Sequence, residues 1–385
     1  MPGYIRKRGK LSWQVMVRAG RDPVTGKYVR ITRTVRGTRK EAERLLARLL
    51  HEVNHGAVVA PGRTTVGEWL HRWLVDIAKP NVAAKTWERY EEIVRLHLKP
   101  HLGAIPLHQL RPAHVQRLYA TLLQAGKHPR TIVHVHRVLH AALQHALRLE
   151  VVARNVCDAV TPPRVRPSEI PVITEEEVAR ILRASEGTRL HIPIVLAVLC
   201  GLRRGEVLAL RWSDVDLERR ILQVRRSLEE VRVDGRLVLR TKEPKTGKGR
   251  AVVVPPLAAE ALKRHRRAQV EERLRAGPVW EDHDLVCPAS NGGPWYPSNF
   301  QKVFSGFVRQ YAIRRVTFHQ LRHAHASYAI RLGADLRTVA ARLGHATPTL
   351  TLNVYGHELP GAQEELSLRV DRLIREALHQ LRGEP

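Results

Sequence analysis

Apolar residues recur along this chain with two different periods, and the change of period marks out its parts. Near the N-terminus the period is two. Trp13, Val15 and Val17 alternate with Gln14 and Met16, which predicts a half-buried strand. Asp22-Pro23-Val24-Thr25-Gly26-Lys27 is a turn signal, and Val29 and Ile31 resume the alternation. The pattern predicts a hairpin or three-stranded sheet. Thr38, with Glu41 three residues on, makes a capping box that opens a helix to about Asn54. Gly56 to Arg63 reads as a linker.

From Thr64 to about Val160 the period becomes helical. Val66, Trp69, Leu70, Trp73 and Leu74 share a face, as do Ile93, Leu96 and Leu98, then Val115, Leu118, Leu122 and Leu123. A long helix is predicted from about Pro129 to Leu149, with Ile132, Val135, Val138, Leu139, Leu143 and Leu147 inward. Its other face carries His134, His136, Arg137, His140 and Arg148. His136 and His140 have the spacing of a metal pair, but no third ligand is evident. The proline-rich stretch Thr161 to Pro171 stiffens and extends a connector between two halves.

The second half opens with another capping box, Thr174 with Glu177. Helices are predicted near 174–185 and 189–200, the latter holding the longest apolar run, Ile192 to Leu202. That run is too short to span a bilayer and reads as a buried helix. Strands follow between Ile221 and Val254, with Asp234-Gly235 as a hairpin turn. Helices return from about Leu257, from Ser298, and onward; Pro360 to Leu381 is again amphipathic, through Leu366, Leu368, Val370, Leu373 and Ile374. The fold class is thus mainly α with small β-sheets (α+β), in three domains: 1–55, 64–160 and 172–385.

Composition narrows the partners. Lys and Arg number 65 against 37 Asp and Glu, a formal charge of +28, and most of the basic residues are Arg. Such an excess points to a polyanion, most simply nucleic acid. The three cysteines, Cys157, Cys200 and Cys287, are widely spaced, so neither a disulfide framework nor a zinc ribbon is expected. The N-terminus lacks the apolar core of a signal peptide, and a cytoplasmic, nucleoid-associated protein without membrane contact is expected.

The candidate chemistry lies in four short motifs of the second half: Gly201-Leu202-Arg203-Arg204-Gly205-Glu206, His319-Gln320-Leu321-Arg322, Leu343-Gly344-His345, and Tyr355. Two arginines, two histidines and a tyrosine can hold one phosphodiester and attack it. Guanidiniums neutralise the non-bridging oxygens through charge-assisted bonds. The histidines add donors, and the phenol is the nucleophile. Gly201 frees the backbone where the buried helix ends, and Gly344 lets the chain turn before His345. Glu206 can reach back to Arg203 or support it through the next helical turn. His319 and Arg322 share a helix face, and His325 is the rival donor.

The order, spacing and flanks of these motifs resemble the tyrosine recombinase (phage integrase) family, closely over the catalytic half and more loosely elsewhere. The resemblance implies that residues 1–55 are an arm-type DNA-binding domain, 64–160 a helical core-binding (SAM-like) domain and 172–385 the catalytic domain. It further implies that Arg203 and Arg322 contact the scissile phosphate, with His319 and His345 as donors and Glu206 supporting Arg203. Tyr355 would form a 3′-phosphotyrosyl bond. A lysine on a β-hairpin turn would protonate the departing 5′ oxygen; Lys245 is the first choice, with Lys242 and Lys248 as competitors. No cofactor and no metal would be needed, because the bond energy is kept in the covalent intermediate and the arginines supply the charge stabilisation. The partner would be double-stranded DNA at attachment sites, bound by a homotetramer on two duplexes, with accessory DNA-bending and directionality proteins. The C-terminal helix would pack on its own domain or on a neighbour. The arm-like unit favours an integrase of a phage or integrative element. A type IB topoisomerase or a non-catalytic DNA-binding regulator are the alternatives; a metal-dependent nuclease lacks its ligand cluster.

Overall fold

The computed structural model describes residues 3–21, 28–54, 64–166, 173–233, 235–243, 249–311 and 316–344, together with Asp371. The chain divides into two compact units, residues 1–168 and 169–385. The division falls in the proline-rich connector predicted from composition.

Unit 1 begins with three antiparallel strands in sequential order, β1 (Gly3–Gly9), β2 (Ser12–Arg21) and β3 (Tyr28–Arg36). Helix α1 (Arg39–Asn54) covers one face, where Ala42 and Leu49 pack with Val15 and Val17. The predicted capping box is formed, with the Thr38 amide donating to Glu41 at 2.7 Å. The register pairs Gln14 with Arg6 and Thr34, and Arg18 with Arg30, on the opposite face of the sheet. That face is therefore polar and basic. The predicted turn at 22–27 and linker at 56–63 lie outside the described residues.

A second core in the same unit is helical: α2 (Val66–Arg72), α3 (Lys79–Asn81), α4 (Ala84–Ile93), α5 (Lys99–Leu102), α6 (Pro112–Gln124) and α7 (Pro129–Arg148). Two π-helical stretches, Trp73–Ala78 and Val94–Leu98, each lead into a Lys-Pro pair at residues 79–80 and 99–100. Proline has no N–H to continue the ladder, so the helix widens just before it. Helix α7 buries Ile132, Val135, Val138, Leu139 and Leu143, the face predicted from periodicity. Trp69 of α2 is fully buried and donates its indole N–H to the Ala142 carbonyl of α7 at 3.0 Å. On the other face His136 bonds Tyr119 at 2.6 Å and His140 bonds Asp158 at 2.9 Å, so the supposed metal pair has other partners.

Unit 2 starts with α8 (Glu175–Ser185), its Thr174–Glu177 capping box formed, then the buried α9 (His191–Cys200) and the short α10 (Arg204–Leu208). Strands β4 (Val215–Asp216), β5 (Ile221–Val224), β6 (Ser227–Val233), β7 (Arg236–Lys242) and β8 (Arg250–Val253) follow. They form two small sheets, β4-β5-β8 and β6-β7. The predicted hairpin joins β6 to β7, with Val233 opposite Arg236 and Gly235 at φ +80°. The remaining helices are α11 (Pro256–Ala276), α12 (Pro297–Gln310), α13 (Phe318–Arg331) and α14 (Leu336–Leu343). The aromatic centre of this core is Phe300, Phe304 and Phe318, with Phe318 edge to face against the other two. Among the described residues no helix is long and apolar enough to cross a membrane, and the three cysteines are buried and free.

Because Trp69 joins packing to a buried hydrogen bond, Trp69→Ala is expected to destabilise unit 1 by about 3–5 kcal/mol. Chemical denaturation followed by far-UV circular dichroism reads this directly; a loss below about 1 kcal/mol would contradict the assignment of Trp69 to the core.

Candidate active site

The site is organised by the chain reversal after α9. Apolar burial carries α9 to Cys200, and Gly201 ends it in the left-handed conformation at φ +68°. A Cβ there would stand 2.7 Å from the His325 ring, so both backbone angle and space require glycine. Arg203 is then the N-cap of α10 and Glu206 its third residue. The Glu206 carboxylate accepts the Arg203 amide at 2.9 Å and the Arg203 guanidinium at 2.8 Å. The predicted reach of Glu206 back to Arg203 is thus formed.

Glu206 is buried, with 2% of its surface exposed. A second arginine holds it from the other side. Arg250, at the start of β8, donates to Oε1 at 2.9 Å and Oε2 at 2.7 Å in a bidentate fork. Arg322, also 2% exposed, places its Nη1 3.9 Å from Oε2. Burial pushes the Glu206 carboxyl up, but the bonds and charge of Arg250 and Arg203 outweigh it and hold it at about 2. One carboxylate thus stands among three guanidiniums, and the net positive charge favours an anion beside them.

The same three arginines meet the end of α14. The last carbonyls of a helix have no partner within it and carry negative partial charge. Here the Arg342 carbonyl accepts from Arg250 Nε at 2.8 Å, the Leu343 carbonyl from Arg322 Nη2 at 2.6 Å, and the Gly344 carbonyl from Arg203 Nη2 at 2.8 Å. Arg322 also donates to the Gly201 carbonyl. Gly344 caps the helix at φ +64°, as the Leu-Gly-His motif predicts, and a Cβ on it would stand 2.9 Å from Arg250 Nη1. The chain leaves this clamp directly into His345. Arg203 keeps 26% of its side chain exposed, so part of its guanidinium faces outward.

Helix α13 sorts the histidines. His325 is largely buried; its Nδ1 donates to the Val198 carbonyl at 2.8 Å, and its Nε2 accepts from Arg342 Nε at 3.0 Å. These partners fix one neutral tautomer. Burial and the Arg342 charge push the imidazole down to about 4. His325 therefore fastens α14 to α9 and is not the rival phosphate donor. His319 lies on the exposed side of α13, its ring edge to face with His323 at 4.6 Å.

Of the residues predicted from sequence, Arg203, Glu206 and Arg322 come together. His319 shares the helix of Arg322. Lys245, His345 and Tyr355 lie outside the described residues, as do Lys248 and, apart from Asp371, the C-terminal amphipathic stretch. The expected hairpin around Lys245 is corrected by the sheet topology. Strand β7 pairs with β6 and β8 with β5, so the segment carrying Lys245 links two sheets and is not a hairpin turn. Its competitor Lys242 is paired with Glu229 across the β6–β7 hairpin. Sequence reasoning missed Arg250. Its signal was phase: Arg250 falls in step with the inward-facing Val252 and Val254, a place where a charge needs a partner.

The chain is similar to known proteins over most of its length. The profile described as Phage integrase family matches residues 171–361, and that described as Phage integrase, N-terminal SAM-like domain matches residues 65–123. A Tyrosine recombinase XerC-like protein of Caldanaerobacter subterraneus subsp. tengcongensis is 31% identical over 370 residues, covering 92% of this chain and 94% of the relative. The chain belongs to the tyrosine recombinase (phage integrase) family. It is an enzyme of site-specific DNA recombination acting through a phosphotyrosyl intermediate. The ICEBs1 integrase of Bacillus subtilis is 27% identical over 379 residues, covering 96% of this recombinase and all of that protein. Two solved structures share the fold. The Tn1549 transposon integrase in complex with a circular intermediate DNA has a TM-score of 0.66 at 21% identity, over 79% of this chain and 99% of that one. A lambda integrase tetramer bound to a Holliday junction has a TM-score of 0.59 at 19% identity, over 90% of this chain and 96% of that one.

Two groups make the recombinase sensitive to acid. Glu206 is lowered from 4.5 to about 2 on folding, so the stability it contributes is present above pH 4.5 and lost as pH falls toward 2. His325 is lowered from 6.5 to about 4, so its contribution is present above pH 6.5 and lost as pH falls toward 4. His325→Asn removes the second effect. The variant is expected to be less stable than wild type at pH 7 by about 1 kcal/mol. It should also lose less stability between pH 6.5 and 4. Equal losses in urea titrations over that range would contradict the neutral, buried histidine.

Proposed function

We propose that this recombinase integrates and excises a mobile element, with Tyr355 as its nucleophile. The observation that carries the reading is the clamp at the end of α14. Two arginines from distant motifs meet one helix end, and the chain that leaves it runs through His345 to Tyr355.

Tyr355 attacks the scissile phosphorus of duplex DNA, forming a bond from its phenolic oxygen while the bond to the 5′ oxygen breaks. Lys245 gives that oxygen a proton, so a 5′-hydroxyl leaves and a 3′-phosphotyrosyl ester remains. A 5′-hydroxyl of the partner duplex reverses the step and joins the new strand. Arg203 and Arg322 hold the non-bridging oxygens and stabilise the charge that builds on them, with His319 and His345 as further donors. The Tyr355 proton passes to water in the first step, and the surrounding positive charge favours the phenolate. Four protomers act on two duplexes.

The domains divide this work as the sequence suggests, with 1–55 binding arm-type sites, 64–160 gripping the core site and 172–385 carrying the chemistry. The basic outer face of the N-terminal sheet supports the first assignment. The full-length match to an integrase of Bacillus subtilis supports an integrative element as the cargo.

Incubating the chain with genomic DNA of its source and recovering SDS-stable adducts is the direct test. Wild type should yield adducts at discrete positions, and Tyr355→Phe none; adducts retained by Tyr355→Phe would overturn the assignment. Arg203→Ala and Arg322→Ala should each remove about 3–4 kcal/mol of transition-state stabilisation while DNA affinity falls far less. Recombination near the wild-type rate by either would refute the phosphate clamp.

A further inference from the structure

Glu206 receives its full set of bonds only with Arg250 counted. Nothing in the proposed mechanism uses Arg250, yet its side chain is 12% exposed and its fork is committed inward. A guanidinium has five N–H donors in one plane. Three of them are spent on three different acceptors: both Glu206 oxygens and the Arg342 carbonyl. The Glu206 oxygens in turn receive the Arg203 amide and guanidinium. The Arg342 carbonyl is the first of the consecutive carbonyls that precede His345. Arg250 thus joins the carboxylate that holds Arg203 to the first of those carbonyls, and it does so with a bidentate fork on the carboxylate.

We propose that Arg250 is a positioning residue of the recombination reaction. It sets Arg203 through the Glu206 carboxylate and sets the segment after α14 through the Arg342 carbonyl. The inference rests on the reading of Arg203 as a phosphate clamp and of the segment beyond α14 as the carrier of Tyr355. Its shape explains the choice of residue at the start of β8. A lysine would keep the charge but could not span two carboxylate oxygens and a carbonyl with one planar group. Its seat also explains Gly344: a side chain there would meet the Arg250 guanidinium.

The test uses the full-length chain and, as probe, a suicide duplex copied from a position recovered in the wild-type adducts. Arg250→Met is expected to form the covalent adduct about 100-fold more slowly, the size of effect that follows a small misplacement of reacting groups. Affinity for the same duplex should stay within about threefold, since phosphate contacts elsewhere supply binding. Arg250→Lys retains the charge and should still cleave at least about tenfold more slowly than wild type, because the fork is lost. In the Glu206→Gln background, replacing Arg250 should cost much less than in wild type, since the two act as one unit. Cleavage by Arg250→Lys and Arg250→Met near the wild-type rate, matched losses of binding and cleavage, or fully multiplicative effects with Glu206→Gln would each overturn the proposal. A further arm needs no DNA. Amides of residues 339–344 should exchange with deuterium about tenfold faster in Arg250→Lys while those of α9 stay unchanged. Unchanged exchange at the end of α14 would contradict the role. Absence of an adduct from wild type would strike the earlier reading instead, and the exchange arm would still judge this one.

Discussion

The buried carboxylate of Glu206 determines where the arginines of the candidate site gather. Guanidiniums cannot be brought together in a half-buried site without a counter-charge, and Glu206 supplies it at the third position of a short helix. The cost of burying that carboxylate is offset only by its full set of bonds, from Arg203 on one side and Arg250 on the other. The result is a group that stays ionised far below the usual carboxylate range. Its location is set by the reversal at Gly201, which has room for no side chain because His325 stands behind it.

The second constraint is electrostatic in a different way. The end of α14 offers three consecutive carbonyls, and three arginines from β8, α13 and the cap of α10 take one each. A helix end is a natural cation site, and here it is used to gather residues far apart in sequence. The arrangement ties the arginines to the start of the segment carrying His345 and Tyr355. On the proposed function, phosphate binding and placement of the segment carrying Tyr355 draw on the same groups. Removing any member leaves either a charge or a carbonyl without its partner, so the members should behave as a unit and not as independent contacts.

Much of this was legible in the sequence where the deciding interaction is local. The capping boxes at Thr38 and Thr174 are patterns of four consecutive residues, and each forms. The buried helix before Gly201, the inward face of α7 and the hairpin at Gly235 follow from period and turn chemistry alone. The pairing of Arg203 with Glu206 is equally local. What was not legible depends on long-range packing. Nothing near Arg250 in sequence announces Glu206, forty-four residues away. The role of His325 as a fastener between α9 and α14 is invisible until both helices are placed. The same holds for the segment of Lys245, whose flanking strands look like a hairpin but join different sheets. The π-helical turns before the Lys-Pro pairs were also missed, because periodicity alone does not distinguish a widened turn from a regular one.

The account stands or falls on whether the α14 clamp and the phosphate site are one structure. A structure of the chain caught on a cleaved core-site duplex measures this most directly. It should show the Tyr355 oxygen bonded to phosphorus, with guanidinium nitrogens of Arg203 and Arg322 about 2.7–3.0 Å from its non-bridging oxygens while Glu206 still bridges Arg203 and Arg250. A phosphate held elsewhere, with either clamping arginine turned away from it or Glu206 detached from Arg203, would contradict the account.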